Sequence, residues 1–262
     1  MLAQERITVN GIICKLGNLQ VCSGDVIEIG PRRILSKLPA GLEILYEDKD
    51  ILVIQKPSGL LTVATVDERE RTVFAYLRQN LKEVDVRQKL FIVHRLDKFA
   101  SGVLVFAKSE NVKESLQKLF IKHDIQRKYW AIVEGRVEEK QGTIQSHLAE
   151  NQSLRMHSTN DARRGKSAVT HFRVLRWFPG LTVLEVTLET GRKNQIRVHL
   201  SEMGHPIVGD QAYGSTQNPL GRLGLHAFCL GFNHPTQGKP LLFKTAPPPE
   251  FERYLRKAID NH

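Results

Sequence analysis

Cysteine, aromatic residues and long apolar runs are scarce in this sequence. Its 262 residues include 3 cysteines and only 7% aromatic residues. Cys14, Cys22 and Cys229 are too few for a disulfide framework and lie in no zinc-ligand spacing, which predicts a metal-free protein of the reducing cytoplasm. The longest apolar runs fall short of the roughly 18–20 residues of a bilayer-spanning helix. The start, MLAQERITVNG, lacks the apolar core of a signal peptide. We therefore expect neither a membrane protein nor a secreted one.

Positive charge, in contrast, is present in excess. Lys and Arg number 38 against 28 Asp and Glu, which gives a formal net charge of +10. A protein this basic often has a polyanionic partner, although a basic balance also occurs in proteins that need it only for solubility. Hydrophobic residues at 41% and charged residues at 25% are ordinary for a folded domain. The length fits one large domain, or a medium domain with a small appendage.

The first 30 residues differ from the rest of the chain. Asn10 and Gly11 lie between short β-branched runs, which predicts a two-residue hairpin, and residues 24–29 predict a further strand. So short a segment has too little apolar surface to fold alone. We expect a small appendage over 1–30, a basic linker over 31–41 and a main domain over 42–262.

The main domain is rich in predicted strands and has few long helices. Thr72 and Ser109 are predicted helix caps, and a third helix is predicted over 194–203. The polar, basic stretch 150–167 predicts an exposed loop. The pattern indicates an α+β fold with a mixed, mostly antiparallel sheet flanked by helices, and with a small β-rich appendage at the N-terminus.

An unusual cluster of ionisable residues occurs in HRLDKFASG, residues 94–102, between two apolar runs. Neighbouring cations favour the ionised form of a carboxylate such as Asp97. An ionised carboxylate in a partly closed site can act as nucleophile or base toward an electrophilic sugar carbon. The alternative is a surface aspartate that caps the following turn and pairs with Arg95.

A second cluster is TGRKNQIRVH, residues 190–199. Gly191 permits a tight turn before a helix whose free N–H groups favour anions. Arg192 and Lys193 lie at that helix end, and Arg197 flanks its buried stripe, from where it can reach inward to a carboxylate. The alternative is a solvated basic helix face.

A third cluster, RKYW at residues 127–130, opens a predicted strand with cations and aromatic rings. Aromatic faces stack on unpaired bases and adjacent cations contact phosphate, although a strand tyrosine can equally belong to the core. His94 and His199 have no partner at metal-ligand spacing. We interpret both as hydrogen-bonded structural residues.

The sequence resembles the pseudouridine synthases of the large-subunit ribosomal RNA type in five blocks, which follow the family's order from about Ile44 to Pro235. The blocks are ILYEDKDILVIQKPSG, HRLDKFASG, RKYWAIVEG, TGRKNQIRVHLSEMGHPIVGDQAYG and GRLGLHAFCLGFNHP. In addition, VNG and GDVIEI near the N-terminus resemble the last strands of an S4-like RNA-binding module, without the two helices that precede those strands.

The resemblance implies a pseudouridine synthase fold and the isomerisation of specific uridines in structured RNA. The RNA would be ribosomal RNA or tRNA, and the isomerisation would need no cofactor or metal. Apart from the resemblance, we expect a monomer. Asp97 would be the essential carboxylate. Tyr129 would stack on the target base, and Arg197 would form a salt bridge with Asp97. Arg95 would fill the gap that the flipped uridine leaves. The remaining expected substrate contacts are pocket residues and phosphate-binding cations: Lys56, Leu223, Leu225, Arg192, Lys193, Arg155, Arg163, Arg164 and Lys166.

Two departures from the family pattern leave alternatives open. Ala100 replaces a usual Thr, and Lys193-Asn194 replaces a usual Thr-His pair. They favour, as a second hypothesis, an RNA-binding or RNA-folding protein that has lost catalysis. A glycosidase would need a second carboxylate about 5–9.5 Å from Asp97, and the blocks offer no obvious one. For the isomerase, covalent attack of Asp97 on C1′ and removal of the C2′ proton both fit.

Overall fold

The computed structural model describes residues 7–10, 12–14, 19–29 and 38–259. Near the N-terminus, β1 (Ile7–Val9), β2 (Ile12–Ile13) and β3 (Ile27–Ile29) form an antiparallel sheet in the order β2-β1-β3. Val9 pairs with Ile12, as the predicted two-residue hairpin requires, and Asn10 has a φ of 53°. Gly11 and most of the predicted linker lie outside the described residues.

The main body is an 11-stranded mixed sheet with helices on both faces, which confirms the predicted α+β class. Its strands are β4 (Glu43–Glu47), β5 (Ile51–Lys56), β6 (Phe91–Ile92), β7 (Ser101–Ala107), β8 (Gln126–Glu134), β9 (Gln141–Glu150), β10 (Met156–Thr159), β11 (Lys166–Phe178), β12 (Leu181–Leu188), β13 (Leu225–Asn233) and β14 (Pro240–Lys244). The helices are α1 (Val73–Val84), α2 (Glu110–Ile121), α3 (Gln195–Glu202) and α4 (Pro249–Ile259).

The strand order is β10-β9-β11-β12-β8-β13-β7-β5-β4, with β14 paired to β13 and β6 paired to β7. Neighbouring strands are antiparallel except for β7 and β13, which are parallel. Because β7 and β13 are parallel, both begin at the same edge of the sheet. The loop that contains Asp97 precedes β7, so it lies beside Leu225, the first residue of β13.

The central strands are apolar on both sides because helices cover both faces of the sheet. On β5, Leu52 and Ile54 face one core while Ile51 and Val53 face the other. Helices α1 and α3 cover the first face, and α2 covers the second. The predicted caps are confirmed: the hydroxyls of Thr72 and Ser109 accept hydrogen bonds from backbone N–H groups three residues on.

The prediction of an exposed loop over 150–167 is wrong in part. Met156–Thr159 pairs with β9, and β11 already begins at Lys166. The reason is a small satellite core, in which buried Met156 packs with Leu148 and Ala168 beside α3. The strand ladder and this apolar contact together overcome the polar composition of the segment.

Gly102, the last residue of HRLDKFASG, is required by the packing of β7 on β13. Its φ is +122°, and a Cβ built on it would lie 2.1 Å from the carbonyl oxygen of Ala227. Only glycine adopts this conformation at no steric cost, and only glycine lets the two backbones approach so closely.

We expect Gly102→Ala to lower the free energy of unfolding by roughly 2–6 kcal/mol. This range is the sum of the cost of backbone strain and the cost of overpacking. Urea denaturation would measure it. Gly180→Ala is the matched control, since Gly180 has a φ of +72° with nothing within 4 Å of the built Cβ. That variant retains the strain without the clash. Equal losses for the two variants would contradict this explanation of Gly102.

Candidate active site

The loop that contains Asp97 is fastened to the segment that follows β5. Thr62 is buried, and its hydroxyl both donates to the carbonyl of Leu96 (2.8 Å) and accepts from its N–H (3.2 Å). The Ser58 hydroxyl donates to the carbonyl of Phe99 at 2.6 Å. These bonds hold the backbone on both sides of Asp97, so the carboxylate projects from a rigid support.

Lys56 lies beneath this loop and does not line the pocket, contrary to the sequence-based expectation. It is completely buried, and its ammonium donates to the carbonyls of Pro57, Leu60 and Lys98 at 2.6–2.9 Å. Burial lowers its pKa to about 7, Asp97 opposes that shift, and Arg222 adds to it. Lys56 therefore joins the end of β5 to the Asp97 loop from below.

Arg197 lies between two carboxylates, and its tighter partner is one that the sequence did not reveal. Its Nη1 is 3.5 Å from Asp97 Oδ2. Its Nε and Nη2 each donate to the Asp210 carboxylate at 2.7 Å, in a bidentate pair. Burial disfavours the charged guanidinium, but the hydrogen bonds and charge of Asp210 raise the pKa of Arg197 above its ordinary value. Asp210 thus fixes the cation that faces Asp97.

Two further side chains complete the support of Arg197. Asn194 accepts from Arg197 Nη1 at 3.1 Å through Oδ1, and donates from Nδ2 to the hydroxyl of Tyr213 at 3.0 Å. The guanidinium lies over the Tyr213 ring, 4.7 Å from its centroid. Asn194 caps α3 with a φ of 53° and makes no side-chain cap bond. Its amide is directed to Arg197 instead of to the helix.

A pocket of about 490 Å³ opens above these groups. Asp97, Arg197, Tyr129 and Leu225 all line it, so the structure brings together the three residues expected to act in catalysis. Tyr129 is buried, and burial raises the pKa of its hydroxyl; Arg127 opposes that shift and Asp97 adds to it. The phenol is therefore neutral near pH 7. Its position on the wall allows it to contact a planar base in the pocket.

The pocket wall is strongly cationic. Among the described residues that line it, Asp97 is the one acidic side chain, against five Arg and Lys residues: Arg95, Arg127, Arg192, Lys193 and Arg197. Arg95, Arg192 and Lys193 are exposed at the rim. Leu223, another expected pocket residue, packs in the core instead. The pocket therefore suits an anionic ligand with an apolar, planar part.

The remaining predicted cations and histidines have distinct surroundings. Arg155, Arg163, Arg164 and Lys166 are exposed on the segment around β10. His94 accepts from the N–H of Val105 and packs against the Phe120 ring at a tilt of 35°, and burial lowers its pKa to about 3. His199 bonds to the hydroxyls of Ser146 and Thr170. The structural interpretation of both histidines is confirmed.

One group outside the pocket has metal-ligating residue types, namely Asp48, Asp50 and His234. These atoms already bond to protein partners, since His234 lies 2.8 Å from Asp48 and Thr236 donates to Asp50 at 2.6 Å. The group is a satisfied network that joins the β4–β5 turn to the end of β13.

Residues 50–202 match the family model described as RNA pseudouridylate synthase. The chain belongs to this family. Pseudouridine synthases are isomerases that act on RNA, and the cationic pocket is the place in this synthase where a carboxylate, a tyrosine and an arginine meet. Of the helices in the described part of the chain, none is long and apolar enough to cross a membrane.

Named relatives of this pseudouridine synthase cover most of its length. It is 36% identical to the uncharacterized RNA pseudouridine synthase YlyB of Bacillus subtilis, over 94% of this chain and 82% of the relative. It is 33% identical to the ribosomal large subunit pseudouridine synthase D of Yersinia pestis, over 94% of this chain and 81% of the relative. Among solved structures, human RNA pseudouridylate synthase domain containing 4 superposes with a TM-score of 0.69 at 27% identity, covering 82% of this synthase and 92% of the human chain.

Proposed function

We propose that this synthase converts specific uridines of ribosomal RNA to pseudouridine, with Asp97 as its essential carboxylate. The observation that supports this most directly is the position of Asp97 in a cationic pocket, 3.5 Å from Arg197 and on the same pocket wall as Tyr129. The choice of ribosomal RNA rests on relatives named as ribosomal large subunit pseudouridine synthases, at 33–36% identity. A tRNA target is the alternative within the same reaction.

The reaction breaks the N1–C1′ bond of uridine and joins C5 to C1′. The proton on C5 leaves and N1 gains one, so atoms and charge balance without an oxidant, a reductant or a second substrate. Asp97 attacks C1′, or it removes the C2′ proton; both routes need the ionised carboxylate. Arg197 faces and orients that carboxylate, while Asp210 holds Arg197 in place.

The target base has to leave its stack, which costs a few kcal/mol. Stacking of the extruded base on Tyr129 offsets part of that cost, and insertion of Arg95 into the vacated position offsets more. Rim cations, Arg192 and Lys193 among them, contact phosphates. RNA affinity therefore falls steeply as salt concentration rises.

The two departures from the family pattern leave this machinery intact. Ala100 is buried in the core beside the pocket, where a small apolar residue packs without an unpaired hydroxyl. Asn194 bonds both Arg197 and Tyr213. For these reasons we favour an active enzyme over an RNA-binding or RNA-folding protein that has lost catalysis.

Mapping pseudouridines in total RNA from cells with and without this gene tests the proposal. We expect one or a few sites in large-subunit ribosomal RNA to revert to uridine in its absence and to return on re-expression. An unchanged map, together with altered ribosome assembly, would support the non-catalytic alternative. Loss of sites confined to tRNA would correct the substrate.

Three further assignments belong to this proposal. We infer that the synthase works in the cytoplasm, where ribosomal RNA is modified, and as a monomer. We also infer that residues 1–30 are part of an S4-like module ahead of a catalytic domain over 42–262, since the described part of that segment is a small antiparallel sheet. Size-exclusion chromatography with light scattering would test the oligomeric state.

A further inference from the structure

The pocket contains a buried cation that the proposed reaction does not use. Arg127 is only 7% exposed and lines the pocket. No carboxylate forms an ion pair with it among the described residues, and the largest influence on it is burial, which lowers the pKa of its guanidinium. Arginine remains charged even so. A buried charge without a counter-ion is costly, and proteins seldom retain one without a use.

The hydrogen bonds of Arg127 are only partly satisfied. Its Nη2 donates to the carbonyls of Leu188 (3.4 Å) and Glu189 (2.7 Å), which fixes the plane of the guanidinium. Its Nε is buried with no partner, and Nη1 has no acceptor within the part of the chain that the structure describes. The guanidinium is therefore held in a fixed orientation, and some of its N–H donors have no protein acceptor and can bind a ligand.

The surroundings keep these donors free. The Phe120 ring lies against the guanidinium, 5.4 Å from centroid to Cζ. His94 is a neighbouring titratable group, and because burial lowers its pKa to about 3 it is neutral near pH 7 and adds no second positive charge. Gly191 lies on the other side, where a Cβ would approach Nη1 to 2.5 Å. Glycine at 191 thus leaves the space that any other residue would fill.

The position of Arg127 relative to Tyr129 indicates what the ligand is. Both are buried on the same face of β8, two residues apart, and so about 6.6 Å apart along the strand. That separation is comparable to the distance from a nucleotide's base to its own phosphate across the sugar. A guanidinium binds two phosphate oxygens through two parallel N–H donors, and its positive charge balances the negative charge of a phosphodiester.

We propose that Arg127 is the anion site for a phosphodiester of the RNA substrate, placed so that a base on Tyr129 and a backbone phosphate on Arg127 are held together in one pocket. This deepens the proposed function and rests on it for the nature of the ligand. The site would select nucleotides within a chain over free nucleosides, because a nucleoside supplies no phosphate.

The test measures RNA affinity as a function of salt, in the Asp97→Asn background so that no turnover occurs. The probe is a fluorescently labelled oligouridylate of about twelve nucleotides, a length within the range of about 4–16 nucleotides that single-strand binding sites occupy. We expect Arg127→Gln to reduce the slope of log K against log salt by about 0.7, the value for one lost phosphate contact on a single strand. Arg127→Lys should restore most of that slope, because the charge returns.

The matched control is Arg87→Gln, which removes an exposed arginine that pairs with Asp85 outside the pocket. It should leave the slope unchanged. A merely structural Arg127 would lower the folded fraction, seen by circular dichroism, without changing the slope. Equal slopes for Arg127→Gln and its Asp97→Asn parent would overturn the proposal, as would failure of that parent to bind the oligonucleotide. Because binding is measured without turnover, either result is separate from a failure to form pseudouridine.

Discussion

Asp97→Asn is expected to abolish pseudouridine formation, with a loss of at least about 10⁴-fold, the scale seen when a catalytic nucleophile is removed. Asparagine has nearly the same shape as aspartate, so the pocket keeps its form. What disappears is the negative charge that attacks C1′ or takes the C2′ proton. Quantifying pseudouridine in RNA from cells that express the variant in place of the wild type measures the effect.

Binding of RNA should survive the same substitution. The Asp97 side chain is 23% exposed, and removing one carboxylate from a cationic wall lowers the repulsion of phosphate. We expect affinity to stay within about fivefold, the range for a partly exposed ion pair. Asp67→Asn, at an exposed position outside the pocket, is the control and should retain activity. Substantial turnover by Asp97→Asn would refute the assignment of the carboxylate.

Arg197→Met has the next largest effect, because it alters both catalysis and stability. Asp97 loses its cationic partner, which we expect to lower the rate by about 10²–10³-fold, as for loss of one preorganised electrostatic group. Asp210, with a side chain only 2% exposed, is left buried and unpaired. That should cost about 3–5 kcal/mol of unfolding free energy. Single-turnover rates and urea denaturation measure the two effects.

The double variant Arg197→Met/Asp210→Asn separates these effects. Removing both charges eliminates the stranded carboxylate, so stability should recover by at least half of the single-variant loss, since asparagine is neutral at this buried position. Activity should not recover, because Asp97 still lacks its partner. A double variant that regains both would show that Arg197 acts only in folding.

The sequence predicted those site residues that lie within short motifs, and it missed Asp210, whose contact with Arg197 forms only in the folded chain. Asp97, Tyr129 and Arg197 lie in short motifs whose residue types suit the chemistry. Each motif alone left a structural alternative open, and the five blocks in the family's order indicated the site together. Asp210 lies 13 residues beyond Arg197, in the same family-like block, and its role arises only when the chain after α3 folds back on that helix. The run GDQAYG was the signal, since it places an acid and a tyrosine after a glycine.

Burial explains the other differences. Lys56 was expected on the pocket wall because it lies in a block that resembles the family, but three carbonyls accept its ammonium beneath the loop. Leu223 belongs to the core because burial of its apolar side chain is favourable. The stretch 150–167 was predicted to be a loop because it is mostly polar. Its one buried apolar residue, Met156, packs against residues outside the stretch, such as Leu148 and Ala168. In each of these cases tertiary packing determined where the residue lies, and a local sequence pattern does not predict that packing.

The most direct measurement of the central claim is release of tritium from RNA made with uridine labelled at C5. Joining C5 to C1′ expels that hydrogen, so purified wild-type protein acting on labelled large-subunit ribosomal RNA should release tritium to water in proportion to the pseudouridine formed. The same protein with Asp97→Asn should release none above background. Pseudouridine formation by the variant, or no tritium release by wild-type protein from the RNA whose sites depend on this gene, would contradict the role of Asp97 as the essential carboxylate of an RNA isomerase.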